Sequence, residues 1–398
     1  MPVFNQRLKK LILLSTLIAL TGLAMLIVLV FGGDEDGNIT SAQIVLWAII
    51  LLLWPVGILV NHYRLKRRLQ PAEDSSKAQA AYGNLTEGAE STVQWLRSTK
   101  LGAARGGDAI YRLPWFLVIG PSSSGKSLML LSAGLNFNAV PGQRHSDLNL
   151  LRPTSDCEWR VTDESVLLDT SGKYQSENAD DLEEWNGLIA TLNKYRKERP
   201  LDGVVLAVNA GWILSAGDAE IQQQAHLLRE RLGALSRGAG GALPVYLVFT
   251  QSDSLPGFTQ FFQSLGPDER AQVWGATFPL AQWQTAYKLF DLEYGYLMER
   301  LPQRRLLCLG KSAEPATQLA IFNFPSQFSA ARGKLGRFAN ELFSPSNLSE
   351  LPLFRGFYFT SSAGTMNSNG SGESQRDGAR VTGRSLFRAC RIIHLLIN

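Results

Sequence analysis

LPWFLVIG at 113–120, then Pro121-Ser122-Ser123-Ser124, then Gly125-Lys126-Ser127 and LMLLSA at 128–133 together write a strand, a glycine-bounded turn and a helix start in one line. Gly120 to Ser127 satisfies the pattern G-x-x-x-x-G-K-[ST] in full. In such a turn the glycines let the backbone wrap closely around phosphate oxygens, with N–H groups of the Ser122, Ser123 and Ser124 peptides pointing inward. Lys126 is expected to reach the outer phosphates and the Ser127 hydroxyl to ligate Mg²⁺, while the helix contributes its positive N-terminal end. The implied ligand is ATP or GTP with Mg²⁺.

Further along, Asp169-Thr170-Ser171-Gly172 follows the apolar run SVLLD (165–169). A carboxylate at the tip of a buried strand is where a P-loop protein places its second magnesium partner, and Gly172 would let the backbone approach the terminal phosphate. Thr154, between the two motifs, is a candidate third metal ligand, in competition with Ser155 and Thr162. Thr250-Gln251-Ser252-Asp253 ends the run LPVYLVFT (243–250) and stands where GTPases carry [NT]-K-x-D. Asp253 is the candidate base-reading carboxylate, with an ordinary strand-end turn as the alternative; Gln251 replaces the lysine whose stem would cover the base. Hydrolysis has thinner support. Ras-like enzymes orient water with a glutamine just after the glycine of this motif, and here Lys173 follows Gly172. An ammonium cannot accept the proton of water. Glu177, Glu183 and Glu184 are the candidates left, and no catalytic residue is singled out.

Working outward, GVVLAVN (203–209) joins the other apolar runs as a buried parallel strand, and amphipathic segments such as Ala179–Arg199 and Asp218–Leu235 alternate with them. This alternation predicts an α/β fold, a P-loop NTPase-like doubly wound sheet over 109–257. Residues 258–360 read as a helical extension with two further strand-like runs, LAIFNF (319–324) and FRGFYFT (354–360). Residues 361–398 begin Ser-, Gly- and Asn-rich and are expected to be a flexible tail, apparently truncated.

The amino-terminal 62 residues carry a different signal. Leu11–Phe31 holds 21 residues without a charge, enough for a helix of roughly 30 Å. Ala42–Val60 is a second uncharged stretch; its Pro55 and Gly57 are tolerated in membrane helices. Arg7, Lys9 and Lys10 precede the pair and Arg64, Lys66, Arg67 and Arg68 follow it, whereas the intervening GGDEDGNITS is acidic. This asymmetry predicts a transmembrane hairpin over 1–62 with both ends in the cytoplasm. A cleaved signal peptide would have a shorter apolar region and a small-residue cleavage site. Residues 63–108 are expected to be a juxtamembrane linker, with a helix near Ser91–Thr99 and a glycine-rich connector at 102–107.

Apolar residues at 45% and charged residues at 19% support a substantial core, and a net charge of +4 over 398 residues gives no reason to invoke nucleic acid. Three cysteines and four histidines, far apart, offer no zinc-type spacing.

With the hairpin, LPWFLVIGPSSSGKS (113–127), CEWRVTDESVLLDTSGKY (157–174), RPLDGVVLAVNA (199–210), RGFYFTS (355–361) and GRSLF (383–387), the chain resembles the IcmF/TssM family. These are inner-membrane components of bacterial type VI secretion systems and of related icm/dot-type systems. The resemblance implies a cytoplasmic P-loop domain, a DotU/TssL-like inner-membrane partner alongside other secretion-complex subunits, and an oligomeric place in an envelope-spanning complex. It carries the nucleotide motif onto Gly120–Ser127 with Asp169 as its acidic partner. It also implies a further transmembrane helix and periplasmic region, of which RACRIIHLLIN at the end of the chain shows no sign. Two other readings stand beside the nucleotide-binding component: a scaffold with a vestigial site, and a membrane-anchored small-GTPase-like protein.

Overall fold

A computed structural model of the chain describes residues 71–99, 109–143, 148–151, 154–270, 272–345, 352–362 and 379–380. The two stretches expected to form the membrane hairpin and the glycine cluster at 102–107 lie outside the described residues. Among the described residues no helix is long and apolar enough to cross a membrane. The chain divides at Ser76/Lys77, within the helix Pro71–Ser98, and the architecture below is that of the second unit, Lys77–Asn398, that helix being given at its full length.

Its elements run α1 (Pro71–Ser98), β1 (Trp115–Ile119), α2 (Lys126–Leu131), β2 (Leu150–Leu151), β3 (Cys157–Val161), β4 (Val166–Thr170), α3 (Ala179–Tyr195), β5 (Gly203–Asn209), α4 (Ala210–Ser215) and α5 (Asp218–Ala239). Then follow β6 (Pro244–Thr250), α6 (Phe258–Phe262), α7 (Pro267–Arg270), β7 (Trp274–Thr277), α8 (Ala286–Leu309), α9 (Pro315–Phe343), β8 (Leu353–Phe359) and β9 (Ala379–Arg380). Seven strands form one sheet in the order β3-β4-β1-β5-β6-β8-β7. The inner five are parallel, and the two edges are antiparallel.

The parallel strands are apolar on both faces because both faces are covered. Trp115, Leu117 and Ile119 of β1 point into the larger core, with Val204, Leu206 and Val208 beside them; Phe116 and Val118 point into the smaller one. Helices α3, α5, α8 and α9 and the last turns of α1 cover the larger face, and α1 contributes Leu85, Ala89, Val93 and Leu96 at helical spacing. The smaller face meets α2 through Met129 and Leu130, then Phe137 and Leu148.

Two expectations change. LAIFNF lies inside α9, not in a strand: Ile321, Phe324, Phe328, Ala331 and Leu335 are buried at intervals of three and four, while Leu319 and Phe322 face solvent. A short apolar run does not distinguish the two periods; Pro315 at the first turn starts a long helix. Helix α1 begins at Pro71, so most of the polar stretch read as linker is helical. Residues 258–360 share the sheet and core of 109–257: β8 pairs with β6, and β7, unforeseen in sequence, closes that edge. Trp274, Phe258, Phe262, Phe324, Phe328 and Phe359 hold this end together through ring contacts of 4.8 to 5.9 Å. Within the stretch expected to be a tail, β9 pairs with β2.

Candidate functional site

β1 has β4 on one side and β5 on the other, so the chain turns away in opposite directions at its carboxyl end. Such a switch point opens a crevice, and the Gly120–Ser127 loop lies in it. Gly120 has φ 151°, and a Cβ there would come within 2.0 Å of the Ala207 carbonyl oxygen of β5. Gly125, at φ 76°, turns the chain left-handed into α2. Between them Ser123 also has positive φ, Ser122 and Ser123 are exposed, and Ser124 is buried. The Ser124 N–H is tied to the Pro121 carbonyl.

Lys126 is buried and folds back over the loop. Its ammonium donates to the carbonyls of Gly120 (2.8 Å) and Pro121 (2.9 Å), with Ser124 Oγ at 3.4 Å. Burial lowers its pKa to about 8, against the opposing pull of Asp169. Ser127 Oγ lies 3.1 Å from Thr154 Oγ1. Of the three hydroxyls considered for the metal, Thr154 is thus the one beside Ser127. Thr162 is used up in the β3–β4 turn, bonded to Ser165, and Ser155 leans on Asp156.

Asp169 is fully buried near the end of β4, and neither carboxylate oxygen completes a hydrogen bond. Desolvation raises its pKa to about 6, offset in part by the Arg160 guanidinium and the neighbouring Ser127 hydroxyl. Gly172, three residues on, packs against the loop itself: a Cβ there would come within 2.4 Å of Ser122 N and Cα. Two buried, unbonded carboxylate oxygens beside two hydroxyls form a hard, all-oxygen donor set, which suits Mg²⁺. Among the described residues no group of three or more His, Cys, Asp and Glu side chains gathers, so a softer metal has no comparable site there.

The base side is built differently. Thr250 Oγ1 donates to Ser124 O and Val208 O, and Gln251 Nε2 donates to Ser123 O at 3.1 Å while Asn209 Nδ2 donates to Gln251 Oε1 at 2.8 Å. Gln251 therefore braces the loop from behind. Asp253 is exposed, and its Oδ1 accepts from Ser361 just beyond β8. Lys173 bridges Asp156 (2.6 Å) and Glu184 (2.5 Å), which occupies one of the carboxylates considered for water activation. Glu177 accepts from Gln223, and Glu183 is exposed on α3.

Arg160 escaped the reading of the sequence. It is buried in edge strand β3 with its Nε 3.6 Å from Asp169 Oδ2. The alternation of Glu158 and Arg160 with Trp159 and Val161 carried the signal, since a period of two puts both charges on one face.

Sheet order and loop placement define a mixed α/β domain with a parallel-dominated sheet and a phosphate-loop-type turn at its switch point. A family model described as the IcmF-related N-terminal domain matches residues 178–387. The chain belongs to the IcmF/TssM family. The type VI secretion system component TssM1 of Pseudomonas aeruginosa is 38% identical over 272 residues, 67% of this chain and 25% of that protein. The chain thus spans about a quarter of the length of that curated relative. Two solved structures overlap it with low TM-scores. The signal recognition particle receptor SRb-GTP/SRX complex from Chaetomium thermophilum gives 0.25 at 18% identity, covering 35% of this chain and 70% of that one. An SsGBP and GDP complex gives 0.22 at 15% identity, covering 41% and 40%.

Proposed function

We propose that this chain is an inner-membrane component of a type VI secretion system whose cytoplasmic domain binds a nucleoside triphosphate with magnesium at Gly120–Ser127. One observation carries the nucleotide reading: Ser127, Thr154 and Asp169, far apart in sequence, meet beside Lys126 at the switch point of the sheet. The secretion assignment follows from the family and from the name of the P. aeruginosa relative. The membrane placement follows from the two uncharged stretches and their basic flanks. A DotU/TssL-like protein and other subunits are the partners this reading carries.

In the site, the loop amides and Lys126 would hold the phosphates, the ammonium exchanging the carbonyls of Gly120 and Pro121 for phosphate oxygens. Ser127, Thr154 and Asp169 would hold the metal, and Mg²⁺ there would supply positive charge against the phosphates. Gly172 gives the turn after β4 its closest approach to the loop, so whatever fills the loop's mouth moves that turn. Lys173 is locked to Asp156 and Glu184, and among the described residues no general base stands beside the site. Binding without rapid turnover, as in a switch, is the chemistry that results.

Equilibrium binding of ATP and GTP to the detergent-purified full chain, with phosphate release followed in parallel, tests this. Micromolar binding that weakens at least about tenfold in Lys126→Ala is expected, as for loss of a charge-assisted contact. Equal affinity in the variant, or no binding in either protein, would leave the scaffold reading, which the Lys173 clamp favours independently.

A further inference from the structure

Asp169 is a buried carboxylate with neither oxygen hydrogen-bonded, and the cation placed against it comes from a neighbouring strand. Arg160 is held at three points. Nη1 donates to Leu148 O at 2.9 Å, Nη2 meets Glu158 Oε2 at 2.5 Å, and the guanidinium lies 5.5 Å from the centre of the Phe137 ring. With its outer nitrogens fixed, the fork aims Nε at Asp169 Oδ2 from 3.6 Å, and Nε completes no hydrogen bond of its own. That separation is too long for a hydrogen bond but close enough for charge to act through a dry interior. A pair made only to stabilise the fold gains most from full hydrogen bonding. This one stops short, and the carboxylate faces the Ser127 hydroxyl on its other side.

We propose that Arg160 is the resident counter-cation of Asp169 and sets how tightly the site takes a divalent metal. The inference rests on the nucleotide-site reading above. Magnesium bound by a carboxylate sits about 2.1 Å from its oxygen. Such an ion would share Asp169 with a fixed positive charge and meet its repulsion. In metal-free protein Arg160 keeps the buried carboxylate tolerable; on metal binding it opposes the ion, so metal enters readily only with the negative charge of a polyphosphate. Arg160 thereby couples metal to nucleotide, acting through Asp169 without touching either ligand.

Mn²⁺, which takes the same oxygen donors, serves as the probe: free Mn²⁺ is followed by electron paramagnetic resonance as it is titrated into the nucleotide-free full chain. Arg160→Gln removes the charge and keeps N–H donors for Leu148; Arg160→Met is the second variant should the first fail to fold. In either, Mn²⁺ should bind at least about tenfold tighter than in wild type, a change of the size that outer-sphere partners exert on metal sites. Arg160→Lys should stay near wild type, and Asp169→Asn added to Arg160→Gln should abolish the gain. Unchanged or weaker Mn²⁺ binding in the charge-removing variants overturns the proposal, as does binding that survives Asp169→Asn. Nucleotide affinity of the wild type, measured in the same preparation, tells the two failures apart: intact nucleotide binding with no Mn²⁺ response sinks only the role of Arg160.

Discussion

Two arginine–aspartate pairs with buried guanidinium groups flank the central strand β1, one at each end of its strands, and they are built to different standards. At the amino-terminal end, Asp202 accepts from the Trp115 N–H at 2.7 Å and from Arg196 Nη1 at 2.8 Å on one oxygen, and from Arg199 Nε at 2.8 Å on the other. The fully buried Arg196 guanidinium also lies against the Trp115 and Tyr111 rings, 4.9 and 5.1 Å from their centres. At the carboxyl-terminal end, Asp169 has Arg160 at 3.6 Å and no hydrogen bond. At the amino-terminal end both carboxylate oxygens are engaged, although Arg196 Nε and Nη2 have no hydrogen-bond partner. A charge left short of partners, at the end of the sheet where ligands bind, is available for something else.

The largest effect is expected where the carboxylate is fully engaged. Asp202→Ala strands Arg196 in the core and should cost about 3–5 kcal/mol of stability by urea unfolding. A loss below about 1 kcal/mol would mean that the two ends are not built differently after all.

The next effect sharpens the other side. Asp169 has a folded pKa raised from 3.8 to about 6. A raised carboxylate pKa means the folded protein holds the proton more tightly than the unfolded chain does. The group's stabilising contribution is therefore full below about pH 4 and is lost as pH rises through about 6. The wild type should lose on the order of 2–3 kcal/mol across that window from this group. Asp169→Asn, neutral throughout, should remove that part of the pH dependence. An unaltered pH profile in the variant would show that Asp169 is better paired than its geometry indicates.

The smallest effect belongs to Lys173, whose two ion pairs lie only partly buried. Lys173→Gln should cost about 1 kcal/mol or less in urea unfolding. A larger loss would place this clamp with the structural pair at the far end of β1, not with the loosely held site.

The family's fold is legible in sequence where its cause is local. The runs at 113–120, 165–169, 203–209 and 243–250 are strands because each is short, apolar and bounded by turn residues. β7 was not legible as a strand, because it is a short antiparallel edge whose pairing with β8 is decided by residues far away in sequence; β3 forms a local hairpin with β4, and its period-two alternation of charged and apolar residues is a sequence signal for it. LAIFNF misled for the related reason that six residues do not span enough turns to show their period.

The chain's own sequence determined the loop at Gly120–Ser127, because a turn that needs glycine at φ 76° and φ 151° is specified by the residues that make it. Only the tertiary structure decided what surrounds that loop. Thr154, Asp169 and Arg160 belong to different segments, and their distances from Ser127 and from each other follow from parallel and antiparallel pairing across three strands. The β3–β4 hairpin that brings Arg160 to Asp169 is local, but the parallel pairing that sets β4 and β5 beside β1 and the loop joins residues far apart in sequence and is enforced by burial of both faces, so no stretch read alone contains it.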